Sequence, residues 1–205
     1  MVWKEIMKPK VIAILCADIH LSHKPPIWRS NEPDWYVAMA RPLNEIQELQ
    51  AKYKCPILCA GDIFDKWNSP AELINWAMIH LPKEMFSIPG QHDFCYHNIE
   101  DLHRSAYWTL VEAKKITNIE LNKPLELADY KIKLYGFPWG MKLQKCYDRK
   151  IGWKHIALIH KYLWTKDYKY KKALETDNVK KYAKILKTYD VVVVGDNHKS
   201  FVMEL

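Results

Sequence analysis

Five short apolar runs in this chain each stop abruptly at a carboxylate, a histidine or both. They are VIAILCA into Asp18-Ile19-His20, PILCA into Gly61-Asp62-Ile63-Phe64-Asp65, MFSIP into Gly90-Gln91-His92-Asp93, HIALI into His160, and DVVVV into Gly195-Asp196-Asn197-His198. Each run has strand length and is rich in β-branched or other apolar residues, the pattern of a buried strand. A mostly parallel α/β sheet sets the carboxyl ends of its strands along one edge, where ligand crevices form. Five such endings on one edge would gather Asp, His and Gln from distant parts of the chain. One feature thus constrains both the fold class and the place of a site.

The remaining elements follow from punctuation. Residues 10–16 read as the first strand, and a long polar loop carrying Pro25, Pro26 and Trp28 leads to a helix over 34–53, bent at Pro42, which has no N–H to donate. After a strand at 56–60, Ser69-Pro70-Ala71-Glu72 has the form of a capping box, with Ser69 as N-cap and Pro70 at the first helical position. That helix ends near His80. A third strand at 84–88 precedes a third helix over 100–113. Segments 116–121, 124–128 and 131–136 suggest a second, more antiparallel sheet, with Gly136–Gly140 as a turn or rim loop. Strands at 155–160 and 190–194 flank a lysine-rich helix over 176–188 that starts near Thr176-Asp177-Asn178. The expectation is one domain over 1–205, with two sheets face to face and helices outside.

Composition narrows the setting. With 205 residues the chain can bury a substantial core. No stretch approaches the ~18 apolar residues of a membrane span, and the N-terminus lacks a signal core. Five cysteines without a C-x-x-C argue against a disulfide framework, and Cys16 and Cys59 are expected as buried thiols. A reducing, cytoplasmic setting is expected. Net charge is +7 but uneven: from Lys131 to Lys187, 16 Lys or Arg face 4 Asp or Glu, and the rest of the chain is −5. A solvated lysine face explains such a surplus, and so does an anionic partner such as nucleic acid.

Each strand ending has a plain explanation when taken alone. Asp18-x-His20 offers an oxygen and a nitrogen ligand on one side of an extended loop, yet an adjacent pair of this kind is more often a local hydrogen bond. In Gly61-Asp62-x-x-Asp65 the glycine permits a sharp turn that leaves Asp62 at the strand tip; an Asx-turn would use the same residues. His160 and His198 end apolar strands, a costly place for a polar group without a partner. Coincidence of all five, in this order, is harder to explain singly.

The ordered set Asp-x-His, Gly-Asp-x-x-Asp, Gly-Gln-His-Asp, His and Gly-Asp-x-His resembles the calcineurin-like metallophosphoesterase superfamily, and within it SbcD-type DNA repair exonucleases, including small phage-encoded forms. The likeness spans residues 10–200. It implies an α/β fold, a four-layer α/β/β/α sandwich of two mixed sheets, and a dinuclear metal site. One metal would be held by Asp18, His20, Asp62 and His198. The second would share Asp62 and add Gln91, His160 and Asp196. His92 would act as general acid towards the leaving group, oriented by the Asp65 carboxylate, while a hydroxide bridging the metals attacks. Mixed oxygen and nitrogen ligands suit Mn²⁺ first, with Fe or Zn as alternatives. Two cations ~3.5–4 Å apart clamp phosphate oxygens and lower the pKa of a shared water.

Two positions depart from the family pattern. Gln91 stands where Asn is usual, and Asp196 where the first His of Gly-His-x-His is usual. Two divalent ions carry four positive charges; Asp18, Asp62 and a hydroxide offset three, and Asp196 would offset the fourth. A second metal more weakly held or more Mn²⁺-selective is expected. The chain also stops at Leu205, without the capping and ATPase-binding regions of SbcD-like proteins, so an SbcC-type SMC-like ATPase is not expected as a partner. Such nucleases pair through helices near the front of the domain, here 34–53 and 100–113, which implies a homodimer. The resulting expectation is a Mn²⁺-dependent phosphodiesterase acting on DNA in recombination or repair. The alternatives are a phosphoesterase for nucleotides or cyclic nucleotides, and a degenerate member serving as an interaction scaffold. Residues interleaved with the lysines (Tyr147, Trp153, Tyr162, Trp164, Tyr168, Tyr170) could stack bases or pack the core.

Overall fold

The computed structural model describes residues 10–165, 174 and 177–204. Among these residues, eight strands form two four-stranded sheets. The first has the order β1 (Ile14–Cys16), β2 (Ile57–Cys59), β3 (Met85–Ser87), β4 (Ile116–Asn118), and every pairing in it is parallel. The second has the order β5 (Leu125–Leu127), β6 (Ile132–Phe137), β7 (Lys154–His160), β8 (Val191–Gly195); only β5–β6 is antiparallel. The antiparallel character expected for 116–136 is thus confined to one hairpin. Segment 116–118 joins the first sheet instead, because a helix before it returns the chain in the direction of β3.

Four layers result. Leu58 and Ile88 from the first sheet pack against Leu134, Ile156 and Leu158 from the second, all at most 1% exposed. On the outer face of the first sheet lie α1 (Trp35–Tyr53), α2 (Ala71–His80) and α3 (Ala106–Glu112), burying Leu43, Leu73, Ala77 and Leu110. On the outer face of the second lies α4 (Val179–Leu186), whose Val179 and Leu186 meet Tyr135, Ala157 and Ile159. This is the expected α/β/β/α sandwich, and among the described residues no helix is long and apolar enough to cross a membrane.

Helix ends follow local chemistry. Asp34 caps α1 by accepting from the Val37 N–H, and α1 continues through Pro42. For α2 the expected cap is one residue off: Pro70 is the N-cap, and the Ser69 hydroxyl donates backwards to the Lys66 carbonyl. The single helix expected over 100–113 is broken at Ser105. A 3₁₀ stretch (Ile99–Arg104) ends there, and the Ser105 hydroxyl accepts from the Trp108 N–H to start α3. Asn178 caps α4 through the Lys180 N–H. Gly136, expected in a turn, lies inside β6, buried between the sheets. Cys59 is buried, but Cys16 is only half-buried, because β1 is the edge of its sheet among the described residues. All five cysteines are free. Tyr168, Tyr170 and Thr176 lie outside the described residues.

Candidate metal centre

Strands β1, β2 and β3 in one sheet and β7 and β8 in the other deliver their carboxyl ends to a common edge. Pairing continues beyond the strands. Asp18 N–H donates to Gly61 O (3.0 Å), His20 N–H to Asp62 O (3.0 Å), Leu21 N–H to Ile63 O (2.8 Å) and Asp65 N–H to Leu21 O (2.9 Å). The loops after β1 and β2 are thereby zipped together. Asp18, His20, Asp62 and Asp196 all adopt left-handed backbone, with φ of 54°, 47°, 53° and 81°. For non-glycine residues that conformation is costly and clusters at functional sites.

Three sets of side chains have ligand atoms within 4.8 Å of one another: Asp18, His20 and His198; His20, Asp62 and His92; and Asp18, Asp62 and His160. Asp62 stands between them. Its Oδ1 accepts from the His92 N–H (2.9 Å), and its Oδ2 lies 3.2 Å from His160 Nε2 and 3.8 Å from His20 Nε2. Burial would raise the Asp62 pKa, but His160, the His92 N–H and His20 together hold it below the ordinary value. Burial raises Asp18, whose carboxylate accepts from the Asp196 N–H at 2.9 and 3.2 Å. Burial also lowers His20, against the pull of Asp62.

His160 provides the strongest single indication of a cation. It is fully buried, and its Nδ1 donates to the Ala60 carbonyl (2.7 Å). That bond turns Nε2 towards the carboxylates, the way an outer hydrogen bond orients a metal-binding imidazole. Burial pulls its pKa down, but Asp62 overrides this and holds it at about 9. Although Nε2 lies 3.2 Å from Asp62 Oδ2, it is a buried polar atom without a hydrogen-bond partner among the described residues. A nitrogen attracted by a carboxylate yet unbonded to it suits a divalent ion that would bind both. The residues present therefore fit a metal. Two glycines make the approach possible: a Cβ on Gly90 would collide with the Asp62 carboxylate, and one on Gly195 with the Ala60 carbonyl.

The other expected residues are placed as follows. His92 Nδ1 donates to the backbone carbonyl of Asp65 (2.7 Å), not to its carboxylate. This corrects the expected pairing: the Asp65 carboxylate is 42% exposed and lies 3.9 Å from His20 Nδ1. Gln91 opens a 3₁₀ turn (Gln91–Asp93), and its carbonyl accepts from His97 Nδ1 (3.0 Å); its side-chain amide makes no hydrogen bond among the described residues. Asp196 stays outside all three sets among the described residues. Burial raises its pKa. It acts on the site chiefly through its own N–H, which holds Asp18.

One organising residue was not assigned a role from sequence. Asp93 is fully buried and accepts from three backbone N–H groups, Ile63 (3.3 Å), Phe64 (3.2 Å) and Gly90 (3.0 Å). It fastens the loop after β2 to the loop after β3. Burial, reinforced by Asp62, lifts its pKa to about 7. The available signal was an acid sandwiched between His92 and the apolar Phe94-Cys95.

Comparison with known proteins agrees with this geometry: the family model for calcineurin-like phosphoesterase matches residues 13–200. No curated protein matches the chain.

Proposed function

Since the chain belongs to the calcineurin-like phosphoesterase family, a group of metal-dependent hydrolases, we propose that it is a phosphodiesterase that cleaves DNA with two divalent ions, Mn²⁺ foremost. The observation that carries the reading is Asp62 Oδ2, set between His160 Nε2 at 3.2 Å and His20 Nε2 at 3.8 Å. One carboxylate with imidazoles on both sides is the arrangement that lets two cations share a ligand. In this reading Asp18, His20, Asp62 and His198 would hold one ion; Asp62, His160 and the amide of Gln91 would hold the other, with Asp196 steadying Asp18. Bound divalent ions supply charge neutralisation on the phosphate and a water of lowered pKa.

The chain's own groups do the rest. With Nδ1–H committed to the Asp65 carbonyl, His92 presents Nε2 to the site. In the imidazolium form that atom would give its proton to the leaving oxygen as a water oxygen bonds to phosphorus and the P–O bond breaks, the task of a positioned general acid. Asp62 Oδ1 fixes the His92 backbone, so the proton donor and the ligand set move as one unit.

Support for a DNA substrate comes from the basic segment and the likeness to SbcD-type exonucleases. Several of its cations are paired: Lys133 with Asp148 and Glu126, Arg149 with Asp190, Lys161 with Asp177. Along α4 and its end, Lys180, Lys181, Lys184 and Lys187 are exposed, without an acidic partner among the described residues. They form a stripe available to a phosphate backbone. The test is hydrolysis of single-stranded DNA, double-stranded DNA and mononucleotide esters with Mn²⁺, at several salt concentrations. DNA cleavage whose KM climbs steeply with salt is expected, because each neutralised phosphate releases counterions. Salt-insensitive turnover of mononucleotide esters alone would replace this reading with a small-molecule phosphoesterase.

A further inference from the structure

We propose that Tyr96, backed by Trp67, is a stacking platform for a nucleobase next to the phosphate being cleaved; the inference rests on the phosphodiesterase reading of the adjoining site and names what that site grips. Tyr96 is 75% exposed, while its neighbours Phe94 and Cys95 are buried at 1% and 0%. Its ring centroid lies 5.0 Å from that of Trp67, tilted by 56°. One face of the tyrosine is thus supported by the indole, and the rest is open.

The pair is tied to the catalytic loops at both ends. Trp67 follows Asp65, whose carbonyl accepts from His92 (2.7 Å), and the Trp67 carbonyl itself accepts from the Ala106 N–H at the head of α3 (2.7 Å). Tyr96 follows His92 by four residues, which bounds their Cα separation at about 14 Å even for extended chain. Two 3₁₀ turns, Gln91–Asp93 and Cys95–His97, make the real path shorter. A base on the nucleotide bearing the phosphate, or on its neighbour, is within reach.

The backbone is bent on purpose to present this ring. Tyr96 and His97 are consecutive non-glycine residues in left-handed backbone, with φ of 51° and 58°. His97 is held by its Nδ1 bond to the Gln91 carbonyl (3.0 Å) and by its ring contact with Trp139, 5.6 Å between centroids. Asn98 N–H closes the turn on Cys95 O (2.9 Å). Within this anchored turn Phe94 and Cys95 point into the core, while the Tyr96 ring stands exposed. Strain of this kind persists where surroundings over-determine it. An aromatic face beside a phosphate site is the device by which proteins grip single-stranded nucleic acid without reading sequence.

The test separates stacking from catalysis. Binding of a labelled single-stranded oligonucleotide is followed by fluorescence anisotropy in chelator, for wild type, Tyr96→Ala, Tyr96→Phe and Tyr96→Trp. Tyr96→Ala should weaken binding about tenfold, the size of one lost base stack, while Phe and Trp bind like wild type. An oligonucleotide of abasic deoxyribose phosphates should bind wild type and Tyr96→Ala equally. With Mn²⁺, Tyr96→Ala should raise KM about as much and leave kcat within about twofold, the mark of lost uniform binding. A Tyr96→Ala loss that is the same on the abasic chain, or a Phe variant as weak as Ala, overturns the stacking role. Failure of wild type to cleave any oligonucleotide would instead sink the nuclease reading, and the metal-free binding data would still decide base stacking by themselves.

Discussion

The Nε2 atoms of His20 and His198 face one another at 3.2 Å, although 178 residues separate them. Both converge on the Asp18 carboxylate. Two imidazoles in this position can share one proton but cannot both keep one, and a divalent ion would need both lone pairs. Protons and metal therefore compete for the same atoms. Calorimetric titration should find Mn²⁺ affinity falling in acid, where His20, held below its ordinary value chiefly by burial, gains its proton, by about tenfold per pH unit for each proton the metal must displace. A flat profile would mean that these nitrogens do not bind the ion.

With divalent ions chelated, stability should fall as pH rises. Burial lifts Asp93 to about 7. Burial pulls His160 down, yet Asp62 holds it at about 9. Both stand above unfolded values of ~3.9 and ~6.5. A group raised by folding contributes stability below its unfolded pKa and loses it as pH climbs through the folded one. Asp62, depressed by His160 and its other partners against the pull of burial, works in reverse, and its contribution disappears in acid. These three groups place the maximum near pH 4 to 5, with steady loss towards pH 9. Urea midpoints at pH 5, 7 and 9 would measure it, and a higher midpoint at pH 9 than at pH 5 contradicts the assignment.

His92→Ala should keep its metal and lose turnover by about 10²- to 10⁴-fold, the usual worth of a general acid. Asp65→Asn should be far milder, within about tenfold in kcat, because the backbone carbonyl that orients His92 survives the change. Comparing kcat and Mn²⁺ stoichiometry in the two variants checks this. Equal loss in both would restore the carboxylate to the orienting role.

Gly90→Ala should damage the site more than the fold. The added methyl collides with the Asp62 carboxylate and must push it off its place between His20 and His160. We expect about 1–3 kcal/mol of destabilisation, typical of overpacking, together with loss of Mn²⁺ binding. Denaturation and calorimetry on one preparation would show both. Unimpaired metal binding would remove Asp62 from the bridging position.

Much of this was legible because strands announce themselves locally. The runs ending at Asp18, Asp62, Gly90, His160 and Asp196 are short, apolar and sharply bounded, and parallel pairing brings such ends together. The partner of segment 116–118 was not legible, since its neighbour is chosen by a crossover over a helix rather than by its own residues. The orienting group of His92 was hidden for a different reason: a backbone carbonyl has no letter in the sequence. Left-handed backbone at Asp18, His20, Asp62 and Asp196 was equally silent, because sequence reading looks to glycine for that conformation. Asp196 reads as a ligand by its position in the motif; the fold adds a contact the motif does not announce, its N–H donated to the Asp18 carboxylate.

The rungs that continue from β1 and β2 through Leu21 and Asp65 divide this edge of the molecule into two kinds of territory. Up to Leu21 and Asp65, a single inserted residue would slip the ladder and move every ligand beyond it. Past Leu21, residues 22–33 hang from a closed clasp. A protein engineer seeking a different substrate could exchange them while leaving intact the ladder that spaces Asp18, His20 and Asp62.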